Sequence, residues 1–305
     1  MTKNRKLAYV ALILTAIIWG AALPIVKPAL EYMSAYHYLF IRYLMAAILS
    51  LPVLVVCFWK YKPTLKDLAT IGWMEFVVLG FGHYLLYEGL SRTSALEASI
   101  LATTSPIIVT LGGIIFLKEK EERHEWWGLA LALIGTLIII LEPIFREGNS
   151  LKFSSLIGNM MVMGYNLIWA FFILKAKSVY KKIPKLLVGF VSPWIGLSFY
   201  WLLLAFKNPI LMQSGQVLDA MAIPSVLTAV MYMGTLGSVV AIPLVMYGNN
   251  QIEASEAALF SYLQPLVYIP LSIFWLKEAF SPILWLALPL IAVGVYMAER
   301  RPRVR

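Results

Sequence analysis

The sequence predicts an all-α integral membrane protein of ten transmembrane helices, arranged as two inverted five-helix repeats around a central cavity. Three observations predict it. The first is composition: the chain is 61% hydrophobic and only 13% charged, with a mean hydropathy of +0.79. A water-soluble domain of 305 residues needs far more charge on its surface. Apolar runs of about 20 residues recur along the chain, each long enough to cross a hydrocarbon core of roughly 30 Å. The weaker, alternating strands of about ten residues that mark a transmembrane barrel do not occur.

The second observation is an internal repeat. At a constant offset of 159 residues, Glu97-Ala98 falls on Glu256-Ala257, Pro106 on Pro265, and Leu117-Lys118-Glu119 on Leu276-Lys277-Glu278. Trp126 then falls on Trp285, Gly135 on Gly294 and Gly89 on Gly248. Shared Leu and Ile decide little between apolar segments, but prolines, Lys-Glu pairs, tryptophans and glycines at one spacing mark a duplication. Its halves are 1–149 and 150–305. The earlier helices match more weakly, Ile18-Trp19 falling on Ile168-Trp169 at an offset of 150.

The third observation is where the positive charge lies. In chain order the spans are expected near 7–30, 36–58, 69–91, 95–117 and 125–145, then 152–176, 185–206, 221–248, 253–276 and 281–299. Most connections are short, which favours antiparallel neighbours. The two longer ones run from Lys60 to Lys66 and from Lys207 to Asp219, the second holding Pro209 and Gly215. With the N-terminus inside, the inner segments carry 18 Lys and Arg and the outer segments six. Both termini are therefore expected in the cytoplasm. Each half has an odd number of spans, so the second enters the membrane upside down relative to the first. Inverted repeats of this kind are a transporter architecture, in which the halves exchange roles between inward-open and outward-open states.

Composition also excludes classes. The net charge of +9 sits between the apolar runs, where it anchors loops rather than binding nucleic acid. The one cysteine, Cys57, rules out an internal disulfide. The first apolar run begins at Leu7 and is too long for a signal-peptide core, so it is expected to stay as a membrane helix. No metal-ligand cluster, phosphate loop or dinucleotide fingerprint is present, and no cofactor is expected. No Asp lies within a span, which argues against an intramembrane enzyme.

The motifs resemble the drug/metabolite transporter superfamily, in its ten-helix EamA-type branch. The resemblance rests on Trp19-Gly20, Arg42, Glu88-Gly89-Leu90, Thr93-Ser94-Ala95, the stretch from Ala98 to Pro106, Leu117-Lys118-Glu119, and Gly128 with Gly135. It covers nearly the whole chain. It implies a basket of ten helices around a central cavity and transport of small metabolites, often export of amino acids, without fixing a substrate. Lys118 and Lys277 depart from the pattern, standing where a glycine is common before the Glu.

Polar side chains inside a membrane are expensive and usually face the bundle interior. His83, Thr103, Thr104, Asn166 and Gln264 are expected near one depth on four helices. Each has two readings, a shared cavity or an interhelical hydrogen bond worth about 0.6–2 kcal/mol. Trp19, His83, Tyr84, Asn166, Trp169, Tyr262 and Gln264 are the expected substrate contacts. His83 and Glu88 are candidates for proton coupling, since an ordinary histidine titrates near 6.5. Arg42 is a candidate charge contact for a carboxylate, or it snorkels to the interface. Pro106 and Pro265 are candidate hinges, or static kinks. The two Lys-Glu turns read most simply as caps at the membrane edge. An aromatic cavity with few fixed charges suits an apolar or aromatic solute and suits a phosphate ester badly. The expectation is a secondary transporter working by alternating access in the cell membrane, a monomer or homodimer, with small solute, lipid and protons as its partners. A lipid flippase or scramblase on the same fold is the alternative.

Overall fold

The structure, a computed structural model, describes residues 3–102, 104–117, 123–145, 152–180, 182–207, 216–252, 260 and 263–299. Among these residues every regular element is helical. Seven helices are long and apolar enough to cross a membrane: Asn4–Glu31, Ala35–Tyr61, Leu65–Arg92, Ala95–Gly112, Phe153–Ala176, Lys185–Phe206 and Pro224–Gly248. Shorter apolar helices at Trp126–Glu142, Pro265–Trp275 and Pro282–Met297 fall within the expected fifth, ninth and tenth spans, and residues 253–259 and 261–262 of the ninth lie outside the described residues.

The local rules are visible at each end. Helix α1 (Lys3–Gly20) passes through α2 (Ala22–Val26) into a 3-10 turn at Lys27–Glu31. Helix α3 (Ala35–Tyr61) stops at Lys62, whose left-handed φ of 43° lets its N–H reach back to the Phe58 carbonyl. Helix α4 (Leu65–Glu75) starts on a capping box: the Thr64 N–H donates to Asp67 at 2.9 Å, and the Asp67 N–H to Thr64 Oγ1 at 3.2 Å.

Two of the long helices contain a widened, π-type segment. One, Phe76–Gly82, joins α4 to α5 (His83–Arg92). The other, Tyr232–Val240, joins α12 (Pro224–Met231) to α13 (Ala241–Gln251). At the offset of 159 the two overlap. A third lies at Leu271–Trp275 after α14 (Pro265–Pro270), and its counterpart in the first half is ordinary α-helix. Such segments leave carbonyls without their usual i+4 partner and are common at functional sites.

Within the fourth span the described residues give α6 (Ala95–Ala102) and α7 (Ser105–Leu117), with Thr104 in a turn whose 3-10 bonds run from the Thr104 N–H to Leu101 and from the Ile107 N–H to Thr104, both 3.0 Å. Pro106 lies in the first turn of α7, where its missing N–H costs nothing. Pro265 opens α14 in the same way. Both prolines therefore start a helical segment rather than bend the middle of one.

The remaining helices are α8 (Arg123–Phe145), α9 (Lys152–Val179), α10 (Lys185–Lys207), the short α11 (Gln216–Met221) and α15 (Pro282–Glu299). Glycines set the closest packing. A Cβ on Gly135 of α8 would stand 2.9 Å from the Ala287 carbonyl and 2.7 Å from Ile291 Cγ1 of α15. A Cβ on Gly294 of α15 would stand 2.6 Å from the Gly128 carbonyl and 2.5 Å from the Ala132 nitrogen of α8. The offset of 159 relates 128 to 287, 132 to 291 and 135 to 294. The contact is thus self-complementary and antiparallel. A second exchange is similar: Gly89 of α5 packs on Gly158 and Val162 of α9, while Gly248 of α13 packs on Leu12 of α1.

Candidate functional site

The chemistry gathers where α3, α5, α9 and α10 meet. Arg42 of α3 is 5% exposed. Its Nη1 donates to the Tyr87 hydroxyl at 2.7 Å, and the guanidinium lies 5.2 Å and 5.4 Å from the ring centres of Tyr43 and Tyr87. Its buried Nε has no hydrogen-bond partner among the described residues. Tyr38 packs its ring on Tyr87, and Tyr200 of α10 stacks on Tyr43 at 5.7 Å. A cation inside a membrane protein normally pairs with an anion; here its described neighbours are tyrosines, which attract it through their ring faces.

The next layer is His83. Its Nδ1 is 2.5 Å from the Tyr43 hydroxyl, and its ring lies edge-on to Tyr87 and 6.0 Å from Tyr165 of α9. Tyr165 stacks on Trp169, and Trp169 on Phe172, making an aromatic wall along α9. Glycines let this wall close in: Gly82 faces Tyr165 and Ile168, and Gly164 faces Leu85.

The π-type segments supply anchor points. Tyr200 places its hydroxyl between the carbonyls of Leu79 and Gly80, at 2.9 and 2.7 Å. In the other half, the Trp19 indole N–H donates to the Gly237 carbonyl at 3.1 Å, and the Tyr232 hydroxyl donates to the Ile18 carbonyl at 3.0 Å. Trp19 is thereby joined to the eighth span rather than to the His83 cluster.

Asn166 serves the turn at Thr104 in the fourth span. It is fully buried; its Nδ2 donates to the Leu101 carbonyl at 2.6 Å and to Thr104 Oγ1 at 3.2 Å, and its Oδ1 accepts from Ser105 at 2.8 Å. Of its two sequence readings, the structure displays the interhelical bond. Gln264 uses its main-chain carbonyl to accept from Val267 and Tyr268, and that carbonyl also lies against Gly20. Tyr84 is half-buried against the core. Tyr262 and Thr103 lie outside the described residues. Glu88 pairs with Arg92 at 2.6 Å, one turn along the same helix, and not with Arg42.

At the opposite end of the bundle, the Tyr180 hydroxyl donates to the buried Glu75 at 3.0 Å. Nearby, a cleft of about 470 Å³ opens between Tyr61, Lys185, Pro243 and Tyr247. It is separate from the Arg42–His83 cluster. Sequence reading missed Tyr38, Tyr43, Tyr87 and Tyr200 as a cage. The available signal was that Tyr38, Arg42 and Tyr43 recur at helical spacing on one stretch, with His83 and Tyr87 four apart on another.

A single family model covers both halves of the chain: that of the EamA-like transporter family matches residues 6–141 and again residues 156–299. The chain belongs to the EamA-like transporter family. Its relatives include the uncharacterized transporter YetK of Bacillus subtilis, 26% identical over 97% of this chain and 88% of that one. The uncharacterized inner membrane transporter YedA of Escherichia coli is 26% identical over 96% of this chain and 93% of its own. A crystal structure with 16% identity, covering 98% of this chain and 100% of that one, superimposes with a TM-score of 0.60 and shares the fold. This EamA-like protein is a multi-pass transporter of the cell membrane.

Proposed function

We propose that this EamA-like protein is a secondary active transporter that moves small metabolites, by preference exporting amino acids or similar apolar and aromatic solutes. The observation that carries the reading is the Arg42 cluster: a buried guanidinium with an unused Nε beside an aromatic wall of Tyr43, His83, Tyr165 and Trp169. A solute carboxylate would satisfy the guanidinium in fork geometry, and an apolar or aromatic side chain would lie on the wall. In the state described, Tyr87 holds the guanidinium, so solute entry displaces that hydroxyl.

Alternating access between two inverted repeats, 1–149 and 150–305, supplies the transport cycle. It is supported by the antiparallel, self-complementary contact between α8 and α15 and by the exchanged contacts of α1 with α13 and α5 with α9. The lysine-rich loops support cytoplasmic termini. The test is counterflow of a panel of aromatic and aliphatic amino acids in proteoliposomes, with and without a pH gradient. Saturable counterflow of at least one carboxylate-bearing solute is expected. Exchange confined to solutes lacking a carboxylate would remove the Arg42 assignment, and no exchange of any small metabolite would remove the transport reading.

A further inference from the structure

A cleft of about 470 Å³ opens at one end of the bundle, away from the Arg42–His83 cluster. Ligand sites commonly fall between roughly 300 and 1,000 Å³. The end of α3, the start of α10 and the middle of α13 form it. Its walls are fixed by packing. Tyr61 and Leu186 rest on a small apolar core of Cys57, Ile71, Leu187 and Val188, separate from the main core. One turn along α10 from Lys185, Gly189 lets α13 come close: a Cβ there would stand 2.7 Å from Ile242 Cγ2 and 3.0 Å from Met246 Cε. Trp59, two residues before Tyr61, is 81% exposed. An exposed Trp at a span end marks the membrane–water boundary, so the cleft opens at headgroup level.

The lining divides into two parts. Tyr61, Lys185 and Tyr247 bring two hydroxyls and an ammonium. None of the three has a hydrogen-bond partner among the described residues. No acidic side chain lines the cleft among those residues either. The acids of α4 are engaged elsewhere, Asp67 in the Thr64 capping box and Glu75 with Tyr180. Lys60, Lys62 and Lys182 are exposed and flank the lining in the chain, and the Lys60 ammonium lies 5.4 Å from the centre of the Tyr61 ring. Donors without acceptors, under a local excess of positive charge, suit an anion with several oxygens. The rest of the lining, Leu186, Pro243 and Met246, is apolar. A free anion would leave that surface bare. A phosphate that carries acyl chains covers both parts.

We propose that this cleft binds one anionic phospholipid. Its headgroup phosphate takes donors from Lys185, Tyr61 and Tyr247, and the first carbons of its acyl chains lie on Leu186, Pro243 and Met246. Basic pockets between membrane helices hold acidic headgroups through the same chemistry. The lipid touches α3 from the first half of the chain and α10 and α13 from the second. It therefore stabilises the arrangement that brings these three helices together, by as much as it prefers that arrangement to any other. The site needs no transported solute, and its occupant stays bound rather than crossing the membrane.

Native mass spectrometry of the purified full-length protein in detergent tests this, with phosphatidylglycerol titrated against phosphatidylcholine of the same acyl chains. The parent is expected to retain one phosphatidylglycerol in preference, and equal retention of the two lipids overturns the proposal. Lys185→Gln should weaken retention about fivefold, the worth of one lysine near an anionic surface. Tyr61→Phe and Tyr247→Phe change no charge and should each weaken it about two- to tenfold, as the loss of one hydrogen bond does. Tyrosine variants that bind like the parent overturn the site. Lys66→Gln, which removes an exposed lysine outside the lining, should leave retention unchanged. A loss equal to that of Lys185→Gln would reduce the preference to diffuse charge at the membrane edge. Glycerol phosphate in large excess separates a lipid from a soluble phosphate ester. It is expected to displace no lipid, and displacement would give the cleft to the soluble ester. Phosphatidylglycerol should also raise the melting temperature of the parent more than that of a variant carrying both Lys185→Gln and Tyr61→Phe, and an equal rise in the two counts against the site.

Discussion

Glu278 and Leu96 stand 182 residues apart in the chain and are joined by a 2.8 Å hydrogen bond from the Leu96 N–H to the Glu278 carboxylate. The Ala95 N–H donates to the other oxygen at 2.6 Å. A glutamate from the second half thus caps the first turn of α6 in the first half, where the helix dipole favours an anion. The Lys-Glu turn, expected to cap its own membrane edge, caps another helix.

Removing that cap should be felt in a pH-dependent way. Burial pushes the Glu278 carboxyl above the ordinary carboxylate value, against the pull of the two backbone N–H groups and Lys27. A group raised in the folded state contributes stability through its titration that is complete below its ordinary value, about 4.3. That contribution is lost as pH rises through the raised value. Glu278→Ala should cost about 0.5–2 kcal/mol as a lost cap. The melting-temperature gap between parent and variant should be widest near pH 4 and narrow as the pH rises. A gap that widens with rising pH would reverse the assigned direction.

Lys277, one residue earlier, has φ of 55°. The left-handed region costs an L-residue about 1–2 kcal/mol, and here it turns the chain so that Glu278 points back at α6. The turn is closed by the Glu278 N–H on the Ser272 carbonyl at 3.0 Å. Lys277→Gly should therefore raise the melting temperature in detergent, by about 1 kcal/mol or less once glycine's looser unfolded chain is counted. A fall would show that the lysine side chain outweighs the strain.

Gly135 and Gly294 make paired predictions. Each faces backbone of the opposite helix at 3 Å or less from where a Cβ would stand. Valine at either should force α8 and α15 apart, at about 1–3 kcal/mol. Because the two sites share one interface, the double variant should cost less than the sum. Strict additivity in thermal unfolding would mean that the two contacts are independent.

The membrane class, the helix order and the family were legible because apolar length and loop charge act locally and repeat. The pairing of α8 with α15 was not legible: the repeat matched Gly135 with Gly294, but did not say which helix or residues they face. The cage around Arg42 was not legible, because it joins Tyr43, Tyr87 and Tyr200 from three helices and depends on rotation about each axis. Asn166 is buried, but the turn at Thr104 that it bonds was hidden by an unbroken apolar run. Glu97 opened the recognised repeat, and its buried bond from Asn159 was still not legible, because Asn159 lies 62 residues away on another helix.

The Asn166 bond predicts a structural variant. Asn166→Leu keeps the bulk and removes the bonds to Leu101, Thr104 and Ser105, although the Leu101 carbonyl keeps Thr104 and Ser105 keeps the Ala102 carbonyl. Each lost bond costs about 0.5–1.5 kcal/mol. The melting temperature should fall, and Asn166→Asp, which loses both donated bonds and buries a charge, should fall further. If Asn166→Leu melted like the parent and lost only solute affinity, the residue would belong to the binding site instead.

Arg42 separates charge from shape. Lysine in its place keeps a positive charge but loses the planar fork and the stacking on Tyr43 and Tyr87. If the guanidinium grips a solute carboxylate, Arg42→Lys should weaken apparent affinity by about 1.5–3 kcal/mol, roughly 10- to 150-fold. The fold should persist, because the tyrosine cage stays closed by the Tyr43–Tyr200 stack and the Tyr200 bonds to Leu79 and Gly80. Tyr87→Phe removes the hydroxyl that holds the guanidinium in the described state and should tighten carboxylate binding, since nothing then competes for Nη1. Measuring KM for a carboxylate solute and for its amide in both variants decides the matter. Equal losses for the two solutes would make Arg42 a structural cation, and a loss confined to the carboxylate would make it the anchor.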